Sequence, residues 1–142
     1  MRALGRSLAR SLGSGDVVSL EGPLGAGKTT MLQGLAAGLG IRKRLTSPTF
    51  ILFRVVKLPR AVRGITWLVH ADAYRARSPR EFTAAGFGDY IGAPETLTVV
   101  EWGDRVRPLL PRGTVRVRLR NVPAVRGKHE ARTVTYTPRR AS

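Results

Sequence analysis

The sequence predicts an α/β fold: a mostly parallel sheet flanked by helices, with an antiparallel strand pair at the C-terminal end. Three observations predict it. Short, largely apolar runs recur at residues 17–20, 65–69 and 97–100, as strands buried on both faces require. A glycine-rich stretch, residues 22–27, separates the first run from a helical pattern. Two late segments, residues 114–120 and 131–137, alternate apolar and polar side chains instead.

The elements follow in order. Residues 2–12 carry Leu4, Leu8 and Leu12 at a spacing that sets them on one helical face. Residues 16–20 read as a short buried strand. Residues 28–39 read as a helix with Met31, Leu32, Leu35, Ala36 and Leu39 in one apolar stripe, stopped by Gly40. Residues 50–58 are rich in β-branched and aromatic side chains and read as a strand, closed by a basic turn at 59–64. A buried strand over 65–69 runs on to His70 and Asp72. Ser78, Pro79 and Glu81 form a helix start, with Ser78 as cap, Pro79 in the first turn and Glu81 as the capping-box glutamate; Gly86 ends that helix. Residues 97–100 form a third apolar strand, closed by Glu101 and Trp102. In the final pair, Val115, Val117 and Leu119 point one way and Arg116, Arg118 and Arg120 the other, with a loop over 123–130.

The chain of 142 residues holds one domain, with no room for a second. It carries no cysteine, which excludes a disulfide scaffold, a thiolate metal site and cysteine catalysis. His70 and His129 lie far apart and match no metal-ligand spacing. No apolar run approaches a membrane span, and residues 1–12 lack the core of a signal peptide. A cytoplasmic location is expected, with no membrane contact. The charge is unusual: 25 Lys and Arg against 9 Asp and Glu give a formal net charge of +16. Such a field attracts polyanions, nucleic acid foremost. A general richness in arginine would leave the same residues merely solvated, and their even spread does not decide between the two.

Residues 22–29, Gly-Pro-Leu-Gly-Ala-Gly-Lys-Thr, match G-x-x-x-x-G-K-[ST]. Each part has a physical task. The glycines let the backbone turn tightly, so that N–H groups from Gly25, Ala26 and Gly27 approach phosphate oxygens. The helix that follows adds its N-terminal dipole. Lys28 reaches the β- and γ-phosphates, the Thr29 hydroxyl ligates Mg²⁺, and Thr30 lies on the first turn near the α-phosphate. The strand before and the helix after make this a nucleotide triphosphate site in a P-loop NTPase-like fold.

Such a site needs a carboxylate at the C-terminal end of a neighbouring strand. Two of the acidic residues stand at the ends of apolar strands: Asp72 and Glu101. With Lys28 they form the expected catalytic set, and with Thr29 the expected metal set. Ser47 and Thr49 lie in a polar stretch before a strand, placed either to sense the γ-phosphate or to make an ordinary turn. Arg75 is available to phosphate or to a partner. Trp102 packs in the core or stacks on a partner, and spacing does not choose.

With these residues in hand, the chain resembles the TsaE family, also called YjeE. The resemblance rests on residues 20–30, Ser47-Pro48-Thr49-Phe50, His70-Ala71-Asp72-Ala73-Tyr74-Arg75, Glu81-Phe82, Gly86, Asp89-Tyr90 and Val100-Glu101-Trp102. It implies a single P-loop ATPase domain over residues 1–138; residues 139–142, at the terminus, are expected to form a frayed tail. It implies ATP and Mg²⁺ as cofactors and slow ATP hydrolysis in a complex with TsaB-like and TsaD-like proteins. That complex modifies adenosine 37 of tRNA with a threonylcarbamoyl group, and the basic surface offers a contact to tRNA. Thr29 and Glu101 match the Mg²⁺ ligands and Asp72 the second acidic position. Residues 47–49 match a switch-like loop, and Trp102 a tryptophan beside the nucleotide or partner surface.

Three departures from the family pattern stand out. Family members carry a further N-terminal stretch that contacts the adenine side of the nucleotide, so weaker adenine binding or an upstream start is expected. Pro23 replaces an acidic residue or asparagine. The C-terminal basic residue offered to the nucleotide falls among Lys128, His129 and Arg132. A small-molecule kinase shares the phosphate loop and is the alternative; its lid would come from the basic turn at 60–63. No N-K-x-D element points to guanine. No arginine is placed as an in-cis finger, a group that raises turnover about 10³- to 10⁵-fold in related hydrolases, so slow turnover by the chain alone is expected.

Overall fold

The computed structural model describes residues 1–46, 51–122 and 131–137. Ser47, Thr49, Lys128, His129 and the tail at 139–142 lie outside them. Six strands form one sheet: β1 Val17–Glu21, β2 Phe53–Val62, β3 Ile65–Asp72, β4 Thr96–Glu101, β5 Val115–Val122 and β6 Ala131–Thr137. Their spatial order is β2-β3-β4-β1-β5-β6. The four inner strands, β3, β4, β1 and β5, pair in parallel, and both flanks are antiparallel. The α/β sheet and the C-terminal antiparallel pair are as the sequence predicts. The second antiparallel flank, β2 with β3, was not expected.

That difference comes from Pro59. It reads as the end of a strand, yet β2 continues through it to Val62. An outer strand tolerates the missing N–H, and the register between β2 and β3 slips between Lys57 and Val62. The turn is only Arg63 and Gly64, both with positive φ, 47° and 77°, the geometry of a tight two-residue hairpin. The basic stretch at 60–63 therefore stands at the start of β3. Asp72 ends that strand, roughly 20 Å away at the rise of an extended chain. It does not overhang the Asp72 end as a kinase lid would.

The helices α1 Arg2–Ala9 and α2 Lys28–Gly38 cover one face of the sheet. Leu20 and Val18 of β1, Leu97 and Val99 of β4 and Val117 of β5 meet Leu32 and Leu35 of α2 there. The short helix α3 Pro79–Ala84 and the 3₁₀ segments Phe87–Asp89 and Gly103–Leu109 cover the other face, around Phe82, Phe87, Val100 and Val106. Ser78 makes no side-chain cap to α3. Glu81 instead accepts the Arg77 N–H at 3.2 Å, one residue earlier than a capping box requires.

The packing of α1 follows its leucine spacing at Leu8 and Leu12, which meet the core, but not at Leu4. Leu4 is 47% exposed, while Gly5 and Ala9 are buried. Small residues win because the two backbones touch. A Cβ on Gly5 would overlap the Met31 carbonyl, and one on Gly34 would overlap the Arg2 backbone. Arg63, at the tip of the β2–β3 hairpin, then ties down the end of α1. Its guanidinium donates to the Leu12 carbonyl at 2.6 Å and to the Ala9 carbonyl. Among the described residues, no helix is long and apolar enough to cross a membrane.

Gly34→Ala tests this contact. Helix propensity alone favours alanine by about 1 kcal/mol, but the backbone overlap costs more, about 1–3 kcal/mol. Urea denaturation should show a net destabilisation of up to about 2 kcal/mol; a gain in stability would show that the helices are not in contact there.

Candidate phosphate-binding site

Strand β1 ends at Glu21, and the chain turns at Gly22, whose φ is 145°. A Cβ at that position would strike the Leu119 carbonyl on β5, so glycine is required for the loop to leave the sheet. The loop closes on Gly27, which begins α2 in the left-handed region and gives it no side-chain cap. The first N–H groups of α2 are thus left for a ligand, as anion sites at helix starts use them. Ala26 is buried beneath the loop, whereas Gly25 and Thr30 are exposed.

Lys28 is 95% buried. Its ammonium donates to the Gly22 carbonyl at 2.6 Å and the Pro23 carbonyl at 2.8 Å. It also lies 3.9 Å from the centre of the Trp102 ring, a cation–π contact. Burial pushes its pKa down, against the opposing pull of the Glu101, Asp104 and Asp72 carboxylates.

Thr29 faces the end of β4. Its hydroxyl donates to Glu101 Oε1 at 2.7 Å. The other oxygen, Oε2, lies 2.8 Å from His70 Nε2 on β3. Asp72 is level with Glu101 on the adjacent parallel strand. One of its oxygens, Oδ1, accepts the Tyr74 N–H at 2.9 Å. The structure therefore brings Lys28, Thr29, Asp72, Glu101 and Trp102 together at the C-terminal ends of β1, β3 and β4, where ligands of open α/β sheets collect. Arg75 is exposed beyond Asp72. Arg132 stands in β6, opposite Asn121.

Trp102 is half-buried, with φ at 58°. Its ring stacks on Tyr74 at 5.0 Å between centroids, and the Arg105 guanidinium lies over both rings. Arg105 also donates to the Tyr74 carbonyl. Neither Arg105 nor His70 has a role predicted from the sequence. For His70 a signal existed: it precedes Asp72 by two, so strand alternation sets both on one side.

On the opposite face of the sheet, Glu21 is held by Arg116 through two bonds, 2.9 and 3.0 Å, and by Arg118 at 3.2 Å. Burial acts to raise the Glu21 pKa, but hydrogen bonds from Arg116, Ser19 and Arg118 and the Arg116 charge outweigh it and hold the carboxyl below the usual range. The same bond holds Arg116 above its ordinary value.

Among the described residues, no three His, Cys, Asp or Glu side chains cluster to form a metal site. The donors present are a hydroxyl, Thr29, and two carboxylates. That set fits Mg²⁺ delivered on nucleotide phosphates, because this ion takes few protein ligands and keeps phosphate and water oxygens.

The model of the family described as "Threonylcarbamoyl adenosine biosynthesis protein TsaE" matches residues 1–130. The chain belongs to the TsaE family. It is 43% identical over 119 residues to the tRNA threonylcarbamoyladenosine biosynthesis protein TsaE of Streptomyces coelicolor, covering 84% of this chain and 78% of that protein. To the protein of that name from Treponema pallidum it is 41% identical, covering 82% and 81%. The crystal structure of Bacillus subtilis YdiB superposes with a TM-score of 0.69 at 30% identity, covering 96% of this chain and 77% of that one.

The Glu21 cluster makes a pH-dependent prediction. A carboxyl with a lowered folded pKa stabilises fully above its ordinary value of about 4, and that contribution fades as pH falls through the folded value. Arg116→Met should cost about 2 kcal/mol at neutral pH, discounted for the partly exposed arginine and the remaining Arg118. At about pH 3 the loss should shrink to under about 1 kcal/mol. Urea denaturation at both pH values checks it, and an equal loss at both would show that Glu21 is not the partner that matters.

Proposed function

We propose that this TsaE-family chain is the ATP-binding, weakly ATP-hydrolysing member of the machinery that makes threonylcarbamoyladenosine on tRNA, working with TsaB-like and TsaD-like proteins. The observation that carries the reading is the contact between the Thr29 hydroxyl and Glu101, which ties the phosphate loop to the end of a second strand. A loop that bound phosphate alone would not need it.

In this reading, the backbone of Gly25, Ala26 and Gly27 and the first turn of α2 hold the phosphates. Lys28 leaves the Gly22 and Pro23 carbonyls for phosphate oxygens, exchanging neutral acceptors for charged ones. Thr29 and Glu101 hold Mg²⁺, with Asp72 beside them. Bound Mg²⁺ would neutralise charge on the phosphate oxygens. Asp72, level with Glu101, orients a water. Trp102 and Tyr74 wall the site and lie at the surface a partner would meet. Thr30 serves the α-phosphate and Arg75 pairs with phosphate or a partner, while Ser47, Thr49 and His129 keep the roles that the family resemblance gives them.

Turnover by the chain alone is low in this reading. Arg105, which packs on Trp102 beside the site, is occupied by the Tyr74 carbonyl and two ring faces rather than directed at the loop. A partner supplies or organises the missing charge.

In a reconstituted mixture with TsaB and TsaD proteins, Lys28→Ala and Glu101→Ala should each lower ATP turnover by about 100-fold or more, the scale of losing one charge-stabilising group. Unchanged turnover in both variants would remove the site assignment. The unmodified chain by itself should turn over ATP far more slowly than the mixture.

A further inference from the structure

His70 is fully buried in the middle of the sheet, and imidazole is a costly group to place there. Its Nε2 is 2.8 Å from Glu101 Oε2. Among the described residues, its other nitrogen, Nδ1, has no hydrogen-bond partner. A buried histidine kept for stability alone would normally satisfy both nitrogens. Among the described residues its ring makes a single polar contact, and that contact is with the carboxylate that also receives the Thr29 hydroxyl.

We infer that His70 is a positioning residue for Glu101. An ionised carboxylate can only accept, so the ring donates its Nε2–H to Oε2. With Oε2 held from beneath the sheet end, Glu101 cannot rotate about its last bond, and Oε1 stays directed at Thr29. The strand fixes the ring in turn: His70 pairs with Arg54 on β2 and with Val99 on β4, so its backbone is tied on both sides. His70 thus does for Glu101 what outer-shell partners do for metal ligands: it selects one oxygen and one orientation. This role rests on Glu101 being a Mg²⁺ ligand, as proposed above.

The test uses the full chain and reads binding rather than turnover. ATP binding is measured by calorimetry in EDTA and then across a Mg²⁺ titration, for the unmodified chain, His70→Leu and His70→Gln, with thermal unfolding followed in parallel. Leucine fills the space without a donor. Glutamine places an amide N–H where Nε2–H stood. His70→Leu should leave ATP affinity in EDTA within about twofold. It should raise the Mg²⁺ concentration giving half of the added affinity by about 10-fold or more, the range for loss of an outer-shell partner. His70→Gln should recover most of that shift. A midpoint unchanged in His70→Leu, or shifted equally in both variants, would overturn the role. If His70→Leu loses cooperative unfolding, His70→Gln decides: a midpoint within about threefold of the unmodified chain supports the role, and a 10-fold shift overturns it. An unmodified chain whose ATP binding ignores Mg²⁺ would remove the Glu101 assignment and this inference with it, whereas a normal Mg²⁺ response that His70→Leu does not alter removes the inference alone.

Discussion

Strand β4 is paired in parallel on both sides, and its register brings Glu101 level with Leu20 on β1 and with Asp72 on β3. The phosphate loop leaves β1 directly after Glu21, two residues past Leu20, so the same register that aligns the strands aligns the carboxylates with the loop. Two backbone bonds lock the corner: the Trp102 N–H donates to the Leu20 carbonyl at 2.8 Å, and the Ala73 N–H to the Glu101 carbonyl at 3.0 Å. A slip of one residue would send Glu101 to the opposite face, away from Thr29. The site therefore depends on the central sheet being right before any side chain is.

The neighbouring ends of β1 and β4 carry charge on opposite faces of the sheet. Glu101 lies on the face covered by α2, where Thr29 and His70 take its two oxygens. Glu21 lies on the other face, where Arg116 and Arg118 take both of its own. Each carboxylate is almost fully buried, and each is met by donors. Burying a charge is tolerable only with such partners. The one on the arginine side serves to hold β1 to β5; the other stands where its bonds can be exchanged for a ligand.

Much of this was legible in the sequence because it depends on local pattern. The apolar runs, the glycine loop and the acid at the end of each strand are short-range signals, and Asp72, Glu101, Lys28 and Thr29 do converge. What was not legible depends on tertiary contact. Leu8 and Leu12 do pack against the core as their spacing predicts, but Leu4 does not, because α1 meets α2 through Gly5 and Ala9, where α2 offers Gly34 to a bare backbone. His70 looked idle because a lone histidine has no metal spacing, and its partner lies 31 residues away on another strand. Arg105 gains its place only when the turn at Trp102 folds back over Tyr74. Pro59 misled in the other direction, since its usual meaning as a strand end fails on an outer strand.

That proline has a further effect on how the molecule keeps to itself. β2 is an outer strand, and an unprotected outer strand is a template on which a second chain can add and polymerise. Here the free edge is interrupted by Pro59, which offers no N–H, by the irregular register around it, and by Lys57 and Arg60, both exposed. A like-charged copy approaching along that edge would meet repulsion and an incomplete ladder. The feature that hides the strand in the sequence also opposes growth of the sheet at this edge.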